Sequence, residues 1–155
     1  MELFPHHHHV QLIAGAEGYA ELTAAGAPAI AAAPAPKFDG PGDAWTPEHL
    51  LLAAVETCFL FTFRTAAQKA NITFQSLELA TGGTVHRMMG VARFAEIVLR
   101  PTIRIDVNVS RDLVTRLLTD TATSCIVAAS LSTPIRVEPV VFQAEQPRQP
   151  ATNAA

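Results

Sequence analysis

The chain has 155 residues and a mass of 16.6 kDa, which suits one ordinary domain and leaves no room for two independent cores. An apolar fraction of 49% excludes wholesale disorder, and a formal charge of −3 without a basic run argues against a nucleic-acid surface. The N-terminus lacks a cationic segment followed by a long apolar one, and the most apolar stretch, 50–63, is shorter than a membrane span of ~20 residues. We therefore expect a soluble, cytoplasmic protein that contacts neither nucleic acid nor membrane.

The first third of the chain predicts short strands. Residues 9–14 and 19–23 show modest alternation around a Gly15–Gly18 turn, and residues 29–33 are apolar enough for a third strand. The prolines and glycines between residues 34 and 42 then predict a loop.

A long helix is predicted over residues 46–70. Thr46 suits the N-cap, Pro47 suits the first helical position, and Glu48 favours the positive end of the helix dipole. Three phenylalanines in 59–63 alternate with period two, but the length and both flanks favour helix over strand. Because its first turns carry no polar face, we expect this helix to be buried almost all round.

The second half predicts strands and one further helix. Residues 72–79 form a strand, Gly82 and Gly83 a turn, and 91–109 one long strand or two short ones, broken or bent near Pro101. Ser110 caps a helix with Leu113, Leu117 and Leu118 on one face, which reaches Cys125 or slightly beyond. Residues 134–142 form the last strand.

This order predicts an α+β fold with a mostly antiparallel sheet and two main helices. We expect one domain over residues 1–142, followed by a polar, proline-rich and disordered tail over residues 143–155. A long helix without a polar face is hard to bury in one small domain, so we also expect a second copy of the chain to cover it.

The chain has two cysteines, Cys58 and Cys125, and no CxxC spacing. In a reducing cytosol a structural disulfide is improbable, and cysteines often serve as small buried apolar residues. The missing CxxC excludes a thioredoxin-like or zinc-ribbon interpretation.

Two segments carry a resemblance to a known family. KFDGPGDAWTPEHLLLAAVETCF has a glycine-containing loop, a Pro47–Glu48 pair opening a helix, and a cysteine ten residues after the glutamate. LLTDTATSCIVAASLSTPIRVEPVV supplies a second helix, a second cysteine and a closing strand. Together with the opening PHHHHV, they resemble the OsmC/Ohr family of osmotically inducible and organic-hydroperoxide-resistance proteins over residues 5–142.

The resemblance implies a thiol-dependent peroxidase that reduces organic hydroperoxides. It gives Cys58 the peroxide-attacking role and Cys125 the resolving role, with an external dithiol as reductant and no cofactor or metal. The chemistry is plausible because the thiolate is the nucleophile, and a second thiol traps the sulfenic acid as a disulfide before further oxidation. We expect the phenylalanine cluster in 59–63 to belong mainly to the core, and part of it would line an apolar pocket over Cys58 suited to bulky hydroperoxides.

The resemblance also gives Glu48 a place in the active site. Ten helical residues span about 15 Å, so Glu48 cannot reach Cys58 of the same straight helix. The simplest arrangement is a two-fold, intertwined homodimer in which Glu48 of one copy lies near Cys58 of the other. The alternative is an exposed carboxylate at a helix N-terminus that contributes under ~1 kcal/mol.

One departure from the family concerns a cation. Peroxidase members carry an arginine in the first strand turn, where this chain has Ala16, and no Lys or Arg precedes Lys37. We therefore expect a raised Cys58 pKa and slow reaction, unless a cation from elsewhere replaces the arginine. Candidates are Lys37, Arg64, Arg87 and Arg93. The alternative function is a non-catalytic dimer that binds a small apolar ligand between subunits.

The histidines offer weaker signals. His6 to His9 would alternate faces on a strand and could not share one metal ion, so no metal site is predicted there. His49 and His86 could in principle act as a base for Cys58 in a hydrolase, but no acid lies in reach by sequence to orient either one.

Overall fold

The computed structural model describes residues 4–144, apart from the side chain of Met88, so most of the predicted tail over 143–155 lies outside the described residues. The chain forms two compact units. The N-terminal unit ends at Leu51 and the C-terminal unit begins at Leu52, within one continuous helix. The elements form an α+β fold, as the sequence predicts.

The N-terminal unit contains a three-stranded antiparallel sheet in the order β1 (Gln11–Ala14), β2 (Ala20–Thr23) and β3 (Ile30–Ala32). All three predicted strands are confirmed, with shorter bounds. After β3 the loop makes a 3₁₀ turn at Pro36–Phe38. The chain then returns to β3, where Trp45 exchanges backbone hydrogen bonds with Ala31 and Ala33.

Helix α1 (Pro47–Lys69) begins as the sequence predicts. The Thr46 hydroxyl accepts a hydrogen bond from the His49 N–H at 3.2 Å, and the Thr46 N–H donates to Nδ1 of His49 at 3.4 Å. This reciprocal pair satisfies groups that a helix start otherwise leaves without partners.

The burial of α1 differs from the prediction. Only one face is buried in the chain, and its members recur every four residues at Val55, Phe59, Phe63 and Ala67. Phe61, on another face, is 59% exposed. The helix is long and apolar enough to cross a membrane by length and composition alone, but core helices of soluble proteins pass the same test.

The C-terminal unit is built around a long antiparallel hairpin of β4 (Phe74–Met88) and β5 (Val91–Ile105). The predicted turn at Gly82–Gly83 is wrong, because β4 continues through it to a two-residue turn at Met89 and Gly90, both at positive φ. A Cβ on Gly83 would lie 2.4 Å from the Phe94 ring, so a glycine is needed there for packing.

The second edge of β5 carries two short parallel strands, β6 (Ile135–Val137) and β7 (Val140–Gln143). The single predicted strand over 134–142 is therefore split. Pro101 does not break β5: it lies between the segment that pairs with β6 and the segment that pairs with β7, where its missing N–H is not needed.

Helix α2 (Arg111–Ser124) is capped by Ser110, whose hydroxyl accepts from the Leu113 N–H, as predicted. Its buried face differs from the prediction: Leu118 is buried as expected, but with Val114 and Thr121, and Leu113 is 44% exposed. A one-turn helix, α3 (Ile126–Ala129), follows directly. The core of this unit comes from one face of α1, the hairpin and α2. The single domain over 1–142 and the homodimer stay predictions.

Candidate active site

The C-terminal unit brings the two cysteines together. Cys58 lies at the start of the fourth turn of α1, and Cys125 is buried between α2 and α3, where it caps α3. Both are free thiols, and they lie close enough for each to shift the pKa of the other. Residues 67 positions apart in sequence therefore meet in one site.

Cys58 is surrounded by hydrogen-bond donors. Burial raises the pKa of its thiol and is the largest single cause. The hydrogen-bond donors together outweigh burial, so the net effect is a lowered pKa. The donors are the Cys125 thiol, the Val127 N–H, the Thr62 hydroxyl and the Ile126 N–H. This direction contradicts the raised pKa expected from the sequence. Donors of the polypeptide itself, rather than a cation, favour the thiolate.

The pKa of Cys125 is shifted in the opposite direction. Burial is the largest cause, the neighbouring Cys58 adds to it, and together they raise the pKa of the Cys125 thiol to about 11. The Ala128 N–H donates to the Cys125 sulfur at 3.4 Å, which offsets part of this shift. Neighbouring groups whose environments push their pKa values apart divide into a nucleophile and a proton donor. Here Cys58 is the better thiolate and Cys125 the protonated partner.

Glu48 lies in the N-terminal unit, at the start of α1, and its surroundings are those of a helix N-terminus. Its own backbone N–H and the Thr46 hydroxyl lower the pKa of the carboxyl most, burial raises it by less, and the nearby Lys37 and His49 lower it further. Its Oε2 atom is buried and has no hydrogen-bond partner among the described residues. Within this chain Glu48 is therefore ionised and only partly satisfied.

The candidate substitutes for the missing arginine have other contacts. The Arg64 guanidinium lies 5.7 Å from the Phe61 ring, the Lys37 ammonium lies 5.2 Å from the Phe38 ring, and Arg87 donates to the Gly90 carbonyl. Ala16 is exposed in the turn between β1 and β2. Among the described residues, none of the groups that shift the Cys58 pKa is a cation.

The site contains donors that the sequence reasoning missed. Thr62 follows Cys58 by four residues, so helical spacing alone could have placed both on one face. The Ile126 and Val127 N–H groups had no sequence signal, because the break between α2 and α3 that directs them is a tertiary feature. His49 closes the α1 cap. Over residues 4–144, no three His, Cys, Asp or Glu side chains are grouped to hold a metal ion.

Comparison with known proteins gives a family. The model of the OsmC-like protein family matches residues 40–140. The curated protein YmaD of Bacillus subtilis, itself described as uncharacterized, is 26% identical over 98 residues. That match covers 61% of this chain and 65% of YmaD, so the chain spans just under two thirds of the length of this relative.

Solved structures agree on the fold. An OsmC-like protein of unknown function from Vibrio cholerae superposes with a TM-score of 0.80 at 17% identity, over 88% of this chain and all of that one. An organic hydroperoxide resistance protein from Elizabethkingia anophelis gives 0.72 at 15% identity, over 91% and 99%. One from Legionella pneumophila gives 0.70 at 17% identity, over 88% and 97%. With this fold and a family match over most of its length, the chain belongs to the OsmC-like family.

Proposed function

We propose that this protein is a thiol-dependent peroxidase that reduces organic hydroperoxides. The observation that carries the proposal is the contact between Cys58 and Cys125, whose pKa values are shifted in opposite directions. A lowered pKa favours the thiolate that attacks a peroxide, and a raised pKa keeps the neighbouring thiol protonated until a sulfenic acid forms. Two relatives in fold are named organic hydroperoxide resistance proteins, which supports the substrate class.

The reaction balances with the two thiols and one external reductant. The Cys58 thiolate attacks the outer peroxide oxygen, the O–O bond breaks, and an alcohol leaves after protonation. The resulting Cys58 sulfenic acid condenses with the Cys125 thiol, releasing water and forming a disulfide. An external dithiol then reduces the disulfide and restores both thiols. The donors to Cys58 stabilise the attacking thiolate.

The proposal includes a homodimer in which Glu48 of one copy lies near Cys58 of the other. Two observations support it: α1 buries one face only, and Phe61 stays 59% exposed on a strongly apolar helix. We expect a total interface above ~2,000 Å², as in obligate dimers. The OsmC-like fold is soluble, and we place the protein in the cytoplasm, where two free thiols persist. A monomer by light scattering at micromolar concentration would remove the shared site.

Thiol titration tests the chemistry. One equivalent of cumene hydroperoxide should consume both thiols of the wild-type protein, and a dithiol should restore both. Cys125→Ser should still lose the Cys58 thiol, but it should stop at the sulfenic or a higher acid. Cys58→Ser should keep its remaining thiol, because Cys125 is protonated and buried.

The titration also separates the alternative function. Unchanged thiols in the wild-type protein would contradict the peroxidase and favour a non-catalytic dimer that binds a small apolar ligand. Loss of one thiol without formation of a disulfide would contradict the resolving role of Cys125.

A further inference from the structure

The hairpin of β4 and β5 ends in an exposed arm, residues 84–93, which the thiol chemistry does not use. Every residue of this arm whose burial the structure describes is exposed, whereas Ile97 and Leu99 further along β5 are fully buried. Met89 in the turn is 99% exposed, and Val91 beside it is 61% exposed. The tip of the arm therefore presents apolar side chains that residues 4–144 leave uncovered.

The backbone makes the methionine at the tip harder to explain. Met89 has a φ of 49° and Gly90 a φ of 83°, and a two-residue turn with both angles positive favours asparagine or glycine. A long side chain in the left-handed region is uncommon, and this one gains no burial in return. Backbone strain without a reason in the fold is typical of functional positions. A contact outside the chain would explain why methionine stands there.

The arm also differs in charge from the chain as a whole. Residues 79–95 include Arg87, Arg93 and His86 and no carboxylate, whereas the whole chain has a formal charge of −3. Among residues 4–144 neither arginine forms an ion pair, and Arg87 donates only to the Gly90 carbonyl at 3.1 Å. The arm would therefore be attracted to an anionic surface that the rest of the chain would be repelled by.

The apolar and basic residues lie in a definite order along the arm. Strands rise by about 3.4 Å per residue, so Arg87 and Arg93 lie roughly 7 and 10 Å behind the turn. Interfacial protein segments bury their apolar groups about 5–10 Å into the boundary between lipid headgroups and acyl chains. With Met89 and Val91 inserted to that depth, the two guanidinium groups would lie at the level of the headgroup phosphates.

We propose that this arm docks on the surface of an anionic lipid membrane, with the turn inserted and the two arginines paired to headgroup phosphates. A membrane fits better than a nucleic acid, which offers phosphates but no hydrocarbon for the apolar tip. The expectation of no membrane contact rests on the length of apolar stretches that could span a bilayer, and this contact is peripheral. Neither cysteine takes part, so the inference goes beyond the peroxidase.

Co-sedimentation of the full chain with lipid vesicles tests the docking. At low ionic strength the chain should partition at least about tenfold more strongly onto vesicles of equal parts phosphatidylglycerol and phosphatidylcholine than onto phosphatidylcholine alone. The difference should shrink at 0.5 M salt, because salt screens exposed charges. The Cys58→Ser/Cys125→Ser variant should bind equally well, which separates this result from the outcome of the thiol titration.

Matched pairs of arginines test the charge. Arg87→Gln/Arg93→Gln should weaken partitioning onto the anionic vesicles at least about tenfold. Arg111→Gln/Arg116→Gln changes the net charge equally, at exposed positions of α2, and should weaken it by less than about twofold. Circular dichroism verifies that both variants are folded.

Met89→Asn tests the apolar tip without weakening the fold. Asparagine suits the positive φ, so the melting temperature should stay the same or rise. Partitioning onto the anionic vesicles should nevertheless fall at least about threefold, because the inserted apolar group is lost. A methionine with a purely structural role would give the opposite pattern, a lower melting temperature and unchanged partitioning.

Four outcomes would overturn the proposal. Equal partitioning of the unmodified chain onto both kinds of vesicle, or none onto either, would exclude an anionic membrane as the partner. Equal losses in the two double-arginine variants would indicate an effect of net charge. Unchanged partitioning of Met89→Asn would exclude insertion. Binding to duplex DNA as tight as to vesicles of equal phosphate concentration would indicate a general phosphate surface.

Discussion

The two units of this chain differ in how many residues each of them buries. The N-terminal unit buries little: among its described residues, 4–51, the buried ones are Ala32, Ala33 and Thr46. The C-terminal unit has a core of twelve buried apolar residues from helices and sheet, and it holds both thiols. The comparison teaches that a well-packed core can hold two thiols close together, whereas a thin sheet with small side chains leaves an open apolar pocket.

The largest effect is expected from the core of the C-terminal unit. Phe59 is fully buried and Phe61 is 59% exposed two positions later, so they form a matched pair on one helix. Phe59→Ala should lower the free energy of unfolding by about 3–5 kcal/mol, and Phe61→Ala by under about 0.5 kcal/mol in the monomer. Urea titration at low protein concentration measures both values. Equal losses would contradict one-sided burial within the chain and would indicate a covered second face.

The next largest loss of stability is expected in the N-terminal unit alone. A Cβ on Gly40 would lie 1.7 Å from the Pro34 carbonyl oxygen, a backbone atom that cannot move aside cheaply. Gly40→Ala should therefore destabilise the loop after β3 by about 1–3 kcal/mol. The single tryptophan, Trp45, lies in this unit, so its fluorescence reports the change.

Gly15→Ala is the control for that loop, because its new Cβ would be 3.5 Å from the nearest atom, an ordinary contact. Equal effects of the two substitutions on Trp45 fluorescence would show that the short distance between Gly40 and Pro34 is not the reason why position 40 requires glycine.

A smaller effect is expected on the pKa of Cys58 when Cys125 is replaced. The Cys125 thiol donates to Cys58 and lowers the Cys58 pKa. Cys125→Ala removes that donor, whereas Cys125→Ser replaces it with a hydroxyl. The alkylation rate of Cys58, followed against pH, should therefore have a higher midpoint in Cys125→Ala than in Cys125→Ser. Identical midpoints would show that the backbone N–H groups and Thr62 alone set the Cys58 pKa.

The smallest effect concerns Glu48. The pKa of this carboxyl is lowered in the folded chain, so its charge stabilises the fold above the unfolded pKa, and that contribution is lost as pH falls through the folded pKa. Glu48→Gln should lower the free energy of unfolding by under ~1 kcal/mol at neutral pH, with no difference at strongly acid pH. Unfolding curves across pH measure it. A difference that persists in acid would point to packing rather than charge.

The local signals of the fold could be predicted from the sequence. Thr46 and Pro47 marked the start of α1, and Ser110 marked the start of α2, because caps depend on side chains next to the helix end. The turn predicted at Gly82–Gly83 is wrong because the glycine at 83 is needed for a distant contact, the Phe94 ring packed across the hairpin. The break predicted near Pro101 is absent because this proline faces the gap between β6 and β7, which the sequence of β5 alone does not indicate.

The candidate site shows the same limit. The resemblance selected Cys58 and Cys125, and the structure places them in contact. The direction of the Cys58 pKa was predicted wrongly, because sequence reasoning considered a cation and not the backbone N–H groups of Ile126 and Val127. The apolar pocket over the three-stranded sheet was not predicted, since its walls come from strands, a loop and a helix start that are separated in sequence.

The hairpin of β4 and β5 has a consequence for how the chain folds. Its two-residue turn makes the first pairings almost local, and the ladder extends from that end over fifteen residues of each strand. The parallel pairings of β6 and β7 need some thirty intervening residues to be ordered first. We expect the hairpin to form early and the last two strands to dock late, so that pulse-labelled amides of β4 are protected before those of β7.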